Sequence, residues 1–466
     1  MKLKFDRKAR GWNSARYAAL LGRVVVGTGL LAVSVLATTA SSALAAPAVI
    51  NTPGELTSVA QASPGRIAAS DGFGELLGVF CTSAANCWAV GDHNDGTVGL
   101  NEILHLTGQK WRPVSVPSPG GTAKGASSEL TAVRCTSAKD CWAVGAYKTV
   151  GAGFANQALH WNGKSWKAVP VPSPGGKGRT GLNFLLDVSC VAADNCWSVG
   201  EFATFTSSSE ITQNLVLHWT GKKWFKTSVP EPAGTKDGRG NELTSVRCAS
   251  ASDCWAAGQD GTAAGILAAA RPAASSKVKS FFVNEMLHWN GQKWTNTQVP
   301  NPGGTKNGST SVVNGLSCTA PADCWAAGSF GSFNDSHFVN EVLHWTGRKW
   351  FKASVPNPAG TGANANNQLN AIFCVAAGNC WAAGTDGIAL GGDPSFGEML
   401  HWNGAKWSPS AVPNPAGTGP NSTTRLHSIR CVSAANCWAV GSEQPSDGNA
   451  AEFILHWNGR KWLMVS

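Results

Sequence analysis

A pair of cysteines six positions apart, followed at once by tryptophan, recurs seven times along the 466-residue chain. The first copy reads Cys81-Thr-Ser-Ala-Ala-Asn-Cys-Trp-Ala-Val-Gly91. Successive first cysteines are separated by 54, 55, 58, 70, 56 and 57 residues, and all 14 cysteines belong to such pairs. A period of this length is typical of propellers and solenoids, in which each repeat is one supersecondary unit stacked on the next.

Each repeat follows the pattern Leu-x-x-Val-x-Cys, then Cys-Trp-Ala-(Val/Ala)-Gly, a variable stretch, Leu-His-Trp-(Asn/Thr)-Gly-x-Lys-Trp and Val-Pro-x-Pro. Such β-rich segments, punctuated by Gly, Asn and Pro, favour four short strands per repeat. The sequence therefore predicts an all-β fold, a seven-bladed β-propeller of four-stranded antiparallel blades, as one domain over residues 76–466. The blades are predicted to begin near residues 76, 130, 185, 243, 313, 369 and 426.

Prolines indicate the order of the strands within a blade. They fall in the last segment of each repeat, and proline is confined to edge strands because it lacks an N–H group. The fourth strand is therefore predicted to be the outer edge, and the Leu-x-x-Val-x-Cys strand to lie innermost, around the central axis. The prolines concerned are Pro117, Pro172, Pro230, Pro300, Pro356 and Pro413.

The N-terminus has the features of an export signal, so residues 1–45 are predicted to be a signal peptide. Seven Lys and Arg residues accompany an apolar run from Val24 to about Thr38 and the small-residue site Ala43-Leu44-Ala45. An uncleaved membrane anchor is the alternative, although the apolar run is short for a span. Residues 46–75 are predicted to be an N-terminal extension, and the mature protein to be secreted, extracellular and without a membrane partner.

Export and an even cysteine count together predict disulfides, because thiols oxidise outside the cytoplasm. A hairpin places the two cysteines of a repeat opposite each other on neighbouring antiparallel strands. Metal ligation by paired thiolates is the alternative, but it expects closer spacing, and no metal or cofactor is predicted. The expected pairs are Cys81 with Cys87, Cys135 with Cys141, Cys190 with Cys196, Cys248 with Cys254, Cys318 with Cys324, Cys374 with Cys380, and Cys431 with Cys437.

Net charge argues against a nucleic-acid partner. The formal charge is +9, but seven of the 37 basic residues and one of the 28 acidic residues lie in the predicted signal. The mature chain keeps 30 basic and 27 acidic residues, a net charge of about +3. A net charge this small does not indicate a nucleic-acid partner. The mature protein is also predicted to be a monomer.

Tryptophan at three fixed repeat positions suits the buried interface between stacked blades. The first repeat deviates, with Leu106 where the others have Trp. The pattern resembles the kelch-type propeller repeat over about residues 76–466, with Val90-Gly91 matching the strand that ends in Gly and Trp161 and Trp166 the aromatic pair. Kelch units usually carry two glycines and lack the cysteines. The chain is more similar to secreted bacterial proteins with tandem Cys-x5-Cys-Trp repeats and no assigned role.

All length variation falls between the second cysteine and the repeated histidine, where the distance is 18, 19, 22, 34, 20, 21 and 19 residues. In a four-stranded antiparallel blade this connection emerges on the same face as the connections between blades. Insertions in repeat proteins gather on the binding face, so a binding site is predicted there, unconstrained surface loops being the alternative. The longest connection, 258–284, is interpreted as a lid, a docking segment or an insertion without fixed structure.

Residues that differ between repeats are the candidates for a unique site, because identical residues around an axis create only equivalent sites. Four of the variable loops carry carboxylates and histidines that meet this requirement. Two of these loops could hold a weak cation, but exposed polar loop residues are the favoured interpretation of both. The predicted ligand-binding residues are Asp92, His93, Asp95, Glu201, Glu210, Asp260, Asp335 and His337.

Catalytic signatures are absent from the pattern. The seven repeated histidines cannot converge on one ion and are interpreted as structural, and no serine lies in a Gly-x-Ser-x-Gly context. No catalytic residue is therefore predicted. The sequence favours a non-enzymatic binding module that presents its variable loops to an extracellular glycan, cell-wall component or protein, with a multivalent lectin as a minor form. The alternatives are a carboxylate-based hydrolase or lyase at the channel mouth and a purely structural extracellular protein.

Overall fold

The computed structural model describes residues 73–205, 210–236, 238–262, 280–388, 392–446 and 448–465. These ranges contain 28 strands and no helix, so the described part of the chain has no helical segment able to cross a bilayer. The predicted signal peptide, most of the N-terminal extension and residues 263–279 of the longest loop lie outside the described residues.

The strands are β1 (Phe73–Ser83), β2 (Asn86–Asn94), β3 (Gly99–Thr107), β4 (Lys110–Pro113), β5 (Ser127–Ser137), β6 (Asp140–Lys148), β7 (Ala155–Trp161), β8 (Trp166–Val169), β9 (Leu182–Ala192), β10 (Asn195–Phe205), β11 (Glu210–Trp219), β12 (Trp224–Lys226), β13 (Arg239–Ser250), β14 (Asp253–Thr262), β15 (Phe281–Trp289), β16 (Trp294–Asn296), β17 (Ser309–Ala320), β18 (Asp323–Ser332), β19 (His337–Trp345), β20 (Trp350–Lys352), β21 (Ala365–Ala376), β22 (Asn379–Ile388), β23 (Ser395–Trp402), β24 (Trp407–Pro409), β25 (Thr423–Ser433), β26 (Asn436–Gln444), β27 (Ala451–Trp457) and β28 (Trp462–Val465).

One antiparallel pairing pattern is repeated along the chain. β1 pairs with β2, β2 with β3 and β3 with β4, and the same order starts again at β5, β9, β13, β17, β21 and β25. Single parallel bridges, such as Gly99 to Ser127, join some neighbouring sets into larger sheets. The fold is thus an all-β propeller of repeated blades, as the sequence predicted.

The first strand of each set lines a central channel. β1 contacts β5 on one side and β25 on the other, and each remaining first strand contacts the next, which closes a ring. Side chains tie these strands together: Thr131 Oγ1 donates to Leu185 O at 2.8 Å and Asn314 Nδ2 to Leu369 O at 2.9 Å. The first and last sets meet where Val79 N of β1 donates to Ser428 Oγ of β25 at 3.3 Å. The prediction that this strand lies innermost is confirmed.

The fourth strands are short outer edges of three or four residues, and in the pairings described each pairs with the third strand of its own set. The prolines that predicted this edge lie after the strand, not in it: β8 ends at Val169, ahead of Pro172. Carbonyl groups of these proline segments accept hydrogen bonds from asparagines on the third strands, for example Pro172 O from Asn156 Nδ2 at 2.7 Å.

The two faces of the propeller differ in their loops. Connections between second and third strands lie against the connections between sets, as Gly125 N donates to Thr97 O at 2.9 Å and Gly153 N to Gly178 O at 2.8 Å. We call this side the loop face. The opposite side carries the tight turns after the first cysteines and is called the turn face.

All seven predicted disulfides are present, and the paired cysteines face each other in register on the first and second strands of a set. No free cysteine is found in the described residues. Each disulfide thus closes one inner hairpin at the turn face. The bonds join Cys81 to Cys87, Cys135 to Cys141, Cys190 to Cys196, Cys248 to Cys254, Cys318 to Cys324, Cys374 to Cys380, and Cys431 to Cys437.

The hydrophobic core is divided among the interfaces between neighbouring sets. Trp142 of β6 is 1% exposed and contacts Trp219 and Trp224 of the next set, with ring centroids 4.6 and 5.1 Å apart. At the closure of the ring Trp438 contacts Trp111 at 5.3 Å, and Leu106 occupies the place of the second tryptophan. The prediction that tryptophans pack between blades is confirmed.

Candidate functional site at the channel mouth

The residue that precedes the buried leucine or valine of each innermost strand belongs to a ring at one end of the channel. On β1 this residue is Glu75, and the equivalent residues of the flanking strands, Glu129 and Arg425, both interact with it electrostatically. We call this set the mouth ring. Its members are Glu75, Glu129, Phe184, Glu242, Val312, Gln368 and Arg425.

The mouth ring lies next to the residues that line the channel. Leu77, Thr131 and His427 lie two residues beyond Glu75, Glu129 and Arg425 respectively, and all three line a cavity of ≈ 170 Å³ inside the channel. These three residues lie at β-bulges that interrupt the strand alternation, so the mouth ring is placed by its position at the end of the innermost strands, next to the residues that line the cavity. β1 begins at the loop face, so its third residue, Glu75, is at the loop-face end of the channel.

Glu75 is a half-buried carboxyl whose protonation is perturbed. Burial raises its pKa to about 7, the positive charge of Arg425 opposes the rise, and the negative charge of Glu129 adds to it. A carboxyl group with a pKa near neutrality is present in both protonation states at physiological pH. Such a group, beside a second carboxylate and an arginine, is suited to general acid–base chemistry.

A second set of carboxyl groups ties neighbouring repeats together. Asn284 Nδ2 donates to Glu341 Oε1 at 2.8 Å, and equivalent bonds join Asn214 to Glu285 and Asn340 to Glu398, each at 2.5 Å. In these three pairs the asparagine Oδ1 and the glutamate Oε2 are buried without a hydrogen-bond partner. A proton on the carboxyl group would supply the missing donor, so these glutamates are suited to remaining neutral.

The second repeat shows the same contact with an amide in place of the carboxyl. Asn101 Nδ2 donates to Gln157 Oε1 and Gln157 Nε2 donates back to Asn101 Oδ1, both at 2.9 Å. Burial raises the pKa of Glu341 to about 8 and that of Glu285 and Glu398 well above the usual range. These glutamates therefore act as protonated counterparts of Gln157 and are structural.

We expect Glu341→Gln to stabilise the protein at pH 8 by on the order of 1–3 kcal/mol and to leave stability at pH 5 nearly unchanged. The folded-state pKa of about 8 exceeds the ordinary 4.5, so the stabilising contribution of the protonated carboxyl is present at low pH and declines as pH rises to 8. Glutamine keeps the contact without the proton. Guanidinium unfolding midpoints at both pH values measure the effect. Glu→Gln at exposed positions would show no such pH difference, and equal shifts at pH 5 and pH 8 would contradict the assignment.

Where the last repeat meets the first, a glutamate takes the place of the asparagine in this contact. Glu452 occupies the asparagine position, and together with burial it raises the pKa of Glu102, on the adjoining repeat, to about 8. A Cβ atom at Gly74 would overlap Glu452 Oε2, so glycine at this position leaves room for the carboxyl group. The closure thus brings two acidic side chains together, and Glu102 is mostly protonated at neutral pH.

The predicted ligand-binding residues lie on four repeats. Asp92 is buried on β2 in register with Glu75, which places it directly beside the mouth ring. His93 follows it. Hydrogen bonds from Thr97 and Val98, with a smaller electrostatic contribution from His93, lower the pKa of exposed Asp95. These three residues form one group at the loop face.

The other predicted residues are dispersed. Glu201 is buried on β10 in register with Phe184 of the mouth ring, and Asp260 on β14 has its pKa raised to about 6 by burial. Glu210 begins β11, and its side chain lies outside the described part. Asp335 is exposed in the turn before β19, which begins at His337. Ligand binding by these residues stays a prediction.

Residues of the mouth ring were missed by the sequence analysis. Glu75, Glu129 and Glu242 directly precede the first leucine of the repeat pattern, so an alignment of that position would have shown three acids and, in the last repeat, Arg425. The sequence analysis looked for a site only in the variable loops and therefore did not identify this position. No group of three His, Cys, Asp or Glu side chains arranged to hold a metal ion occurs among the described residues.

The repeated histidines are structural, as interpreted from the sequence. His105 stacks on Trp88 with ring centroids 3.8 Å apart, and its Nε2 is 3.1 Å from Asn86 Oδ1. The residue before the second cysteine contacts the histidine in all seven repeats. Burial lowers the pKa of His105, His218, His401 and His456.

No family model and no curated protein sequence matches this chain. Among solved structures, the propeller domain of the trilobed protease from Pyrococcus furiosus, described as having an open velcro topology, aligns with a TM-score of 0.43 and 10% identity over 84% of this chain and 98% of that chain. The GH74 xyloglucanase from Xanthomonas campestris gives 0.38 and 11% over 83% and 59%. The Penicillium chrysogenum α-L-arabinanase gives 0.38 and 9% over 68% and 89%.

These neighbours contradict the prediction of a non-enzymatic binding module, because they are mostly glycoside hydrolases and peptidases. That prediction, and the expectation that the chain is not an enzyme, are therefore corrected. Of the four tryptophans on which the lectin form depends, Trp88, Trp142 and Trp166 are at most 4% exposed and Trp161 is half-buried. With TM-scores below 0.5, the neighbours assign no reaction to this chain, so its chemistry rests on its own residues.

Proposed function

We propose that this chain is a secreted hydrolase that cleaves a glycosidic bond of an extracellular polysaccharide at the mouth ring. The observation that carries the proposal is Glu75, a half-buried carboxyl with a pKa of about 7 that lies between Glu129 and Arg425 at the open end of the channel. Glycoside hydrolysis commonly uses two carboxyl groups, one that donates a proton and one that remains ionised. Glu75 and Glu129 supply such a pair.

In this proposal Glu75 donates its proton to the glycosidic oxygen as the carbon–oxygen bond breaks. Glu129 either removes a proton from the attacking water or attacks the anomeric carbon itself, after which water releases the sugar. In both routes one water is consumed, one new hydroxyl forms on each fragment and Glu75 is reprotonated. The positive charge of Arg425 keeps the pKa of Glu75 from rising further.

The fold assignment that accompanies this proposal is a ring of seven four-stranded blades, kelch-like in pattern, in a monomer released from its signal peptide. It is supported by the pairing of the strands in consecutive sets of four and by one disulfide in each set. Asp92 and His93, which flank the mouth ring, are proposed to contact the substrate. The remaining variable-loop residues are proposed to set which polymer enters.

The test is a panel assay with the mature protein. Neutral polysaccharides, polyuronates and casein are each incubated with the wild type, and new reducing ends, unsaturated products or new amino termini are measured. The double variant Glu75→Gln/Glu129→Gln serves as the blank, and Asp393→Asn, at an exposed carboxylate, is the matched control. We expect new reducing ends from at least one neutral polymer, which the blank does not give. Unsaturated products would show that the enzyme is a lyase and not a hydrolase. Activity that survives in the blank would show that the mouth ring is not the catalytic site.

A further inference from the structure

Three arginines line the channel near its turn-face end, and one of them, Arg247, donates from its Nε to Leu316 O at 3.1 Å. The residue directly before the first cysteine of each repeat is charged or aromatic at five of seven positions, and the three arginines line the channel cavity. Arg430 also lines a groove on the turn face between the first two repeats. The seven residues are Phe80, Arg134, Ser189, Arg247, Ser317, Phe373 and Arg430.

The guanidinium groups are held by stacking on phenyl rings. Arg430 lies between Phe80 and Phe373, with its Cζ 4.3 Å from both ring centroids, and Arg134 Cζ is 4.9 Å from the centroid of Phe80. Stacking covers the faces of a guanidinium and leaves its in-plane N–H groups available to acceptors. Arg430 Nε is buried and has no hydrogen-bond acceptor.

Protein charges neutralise the cluster only in part, because the negative charge of Asp187 acts on Arg134. Asp187 is the one acidic residue among the side chains that line the cavity, against three arginines. Its carboxylate already accepts hydrogen bonds from Ser245 Oγ and Val246 N, each at 2.9 Å, and from Val188 N at 2.8 Å. His427, the other titratable lining group, has its pKa lowered to about 3 by burial and by Arg425, and is neutral.

Like charges placed together in a partly buried channel repel one another, and an unpaired buried donor is costly. Burial and the charge of Arg134 accordingly lower the pKa of Arg430 well below its ordinary value. A bound anion would relieve both costs at once, because it offers oxygen acceptors to the guanidinium edges and adds the missing negative charge.

We infer that the channel binds a small oxyanion at its turn-face end, through Arg430 and Arg134 with Arg247 opposite. The ligand chemistry is that of a carboxylate, phosphate or sulfate group, which matches the planar donor fork of arginine. Two sources share this chemistry: free inorganic phosphate and an anionic group carried on a sugar. The inference is independent of the mouth ring, which lies at the other end of the channel.

The test is direct binding of inorganic phosphate to the full mature protein by equilibrium dialysis at constant ionic strength. We expect one saturable site per chain in the wild type and in Arg460→Gln, an exposed control. Arg430→Gln and Arg134→Gln should each weaken binding by about tenfold or more, the loss expected for one charged hydrogen bond. Competition by glucuronate separates the sources: stronger competition by glucuronate than by sulfate assigns the site to an acidic sugar, and weaker competition assigns it to free phosphate.

Absence of saturable binding, or equal binding by the wild type and both channel variants, would overturn the inference. Arg430→Lys covers the case in which Arg430→Gln does not fold, because lysine keeps the charge but loses the planar fork. It should fold and bind phosphate more weakly than the wild type. Disulfide mapping of each variant confirms that the inner hairpins are intact. Because binding is read without catalysis, failure here leaves the hydrolase proposal untouched, and the reverse also holds.

Discussion

Glu75→Gln is expected to lower kcat on the substrate found in the panel by a factor of about 10²–10⁴, the usual contribution of a general acid. Glutamine fills the same volume and keeps a polar side chain at the channel mouth, so KM should change little. In the wild type the rate should fall as pH rises through about 7, because Glu75 must be protonated to donate to the leaving oxygen. Initial rates from pH 4 to 9 measure both effects.

The control for this experiment distinguishes chemistry from loss of structure. Glu129→Gln should also lower kcat, and by removing a negative charge it should lower the pKa of Glu75, which moves the basic limb of the profile to lower pH. Arg425→Gln should move the same limb to higher pH. A fall in rate without these opposite shifts would show that Glu75 is not the titrating acid.

Trp142→Ala is expected to destabilise the protein by about 3–5 kcal/mol, the usual cost of truncating a buried tryptophan. The side chain is 1% exposed and contacts His160, Trp219 and Trp224 with ring centroids 4.6, 4.6 and 5.1 Å away. Its removal leaves a cavity between two sets of strands, which the rigid sheets cannot close. Guanidinium unfolding with the disulfides intact measures the loss.

The matched comparison is Trp219→Leu, which copies the residue found at the ring closure. There Leu106 packs in the core cluster with Trp438 and Trp111. We expect Trp219→Leu to cost less than Trp142→Ala, because leucine is already accommodated at the equivalent place and Trp219 is only half-buried. A larger loss for Trp219→Leu would contradict the view that Trp142 is the anchor of the interface.

Local patterns were sufficient to predict the repeated part of the fold. The constant spacing of Cys81 and Cys87 predicted a hairpin with a disulfide, and the structure pairs these residues in register. Tryptophan at fixed positions predicted burial between blades, which Trp142 confirms. These features depend on contacts within one repeat or on a periodic pattern, so a single sequence contains them.

The candidate site depends on contacts between repeats, and these leave little trace in the order of residues. Glu75 and Glu129 belong to different strands, and only closure of the ring gives Glu75 both Glu129 and Arg425 as neighbours. The bond from Asn284 to Glu341 likewise requires two sheets to pack face to face. The absence of a nucleophile elbow was taken as evidence against an enzyme, and that inference was wrong.

Among the described residues the four strands of each set come from one uninterrupted piece of chain, and the ring closes without exchanging a strand between its ends. Each piece brings its own disulfide, its own inner hairpin and half of two tryptophan interfaces. A genetic duplication or deletion of one such piece therefore cuts no sheet and leaves no unpaired cysteine. Ring size in this architecture can change in whole steps through unequal recombination, while each retained copy keeps the contacts that order its neighbours.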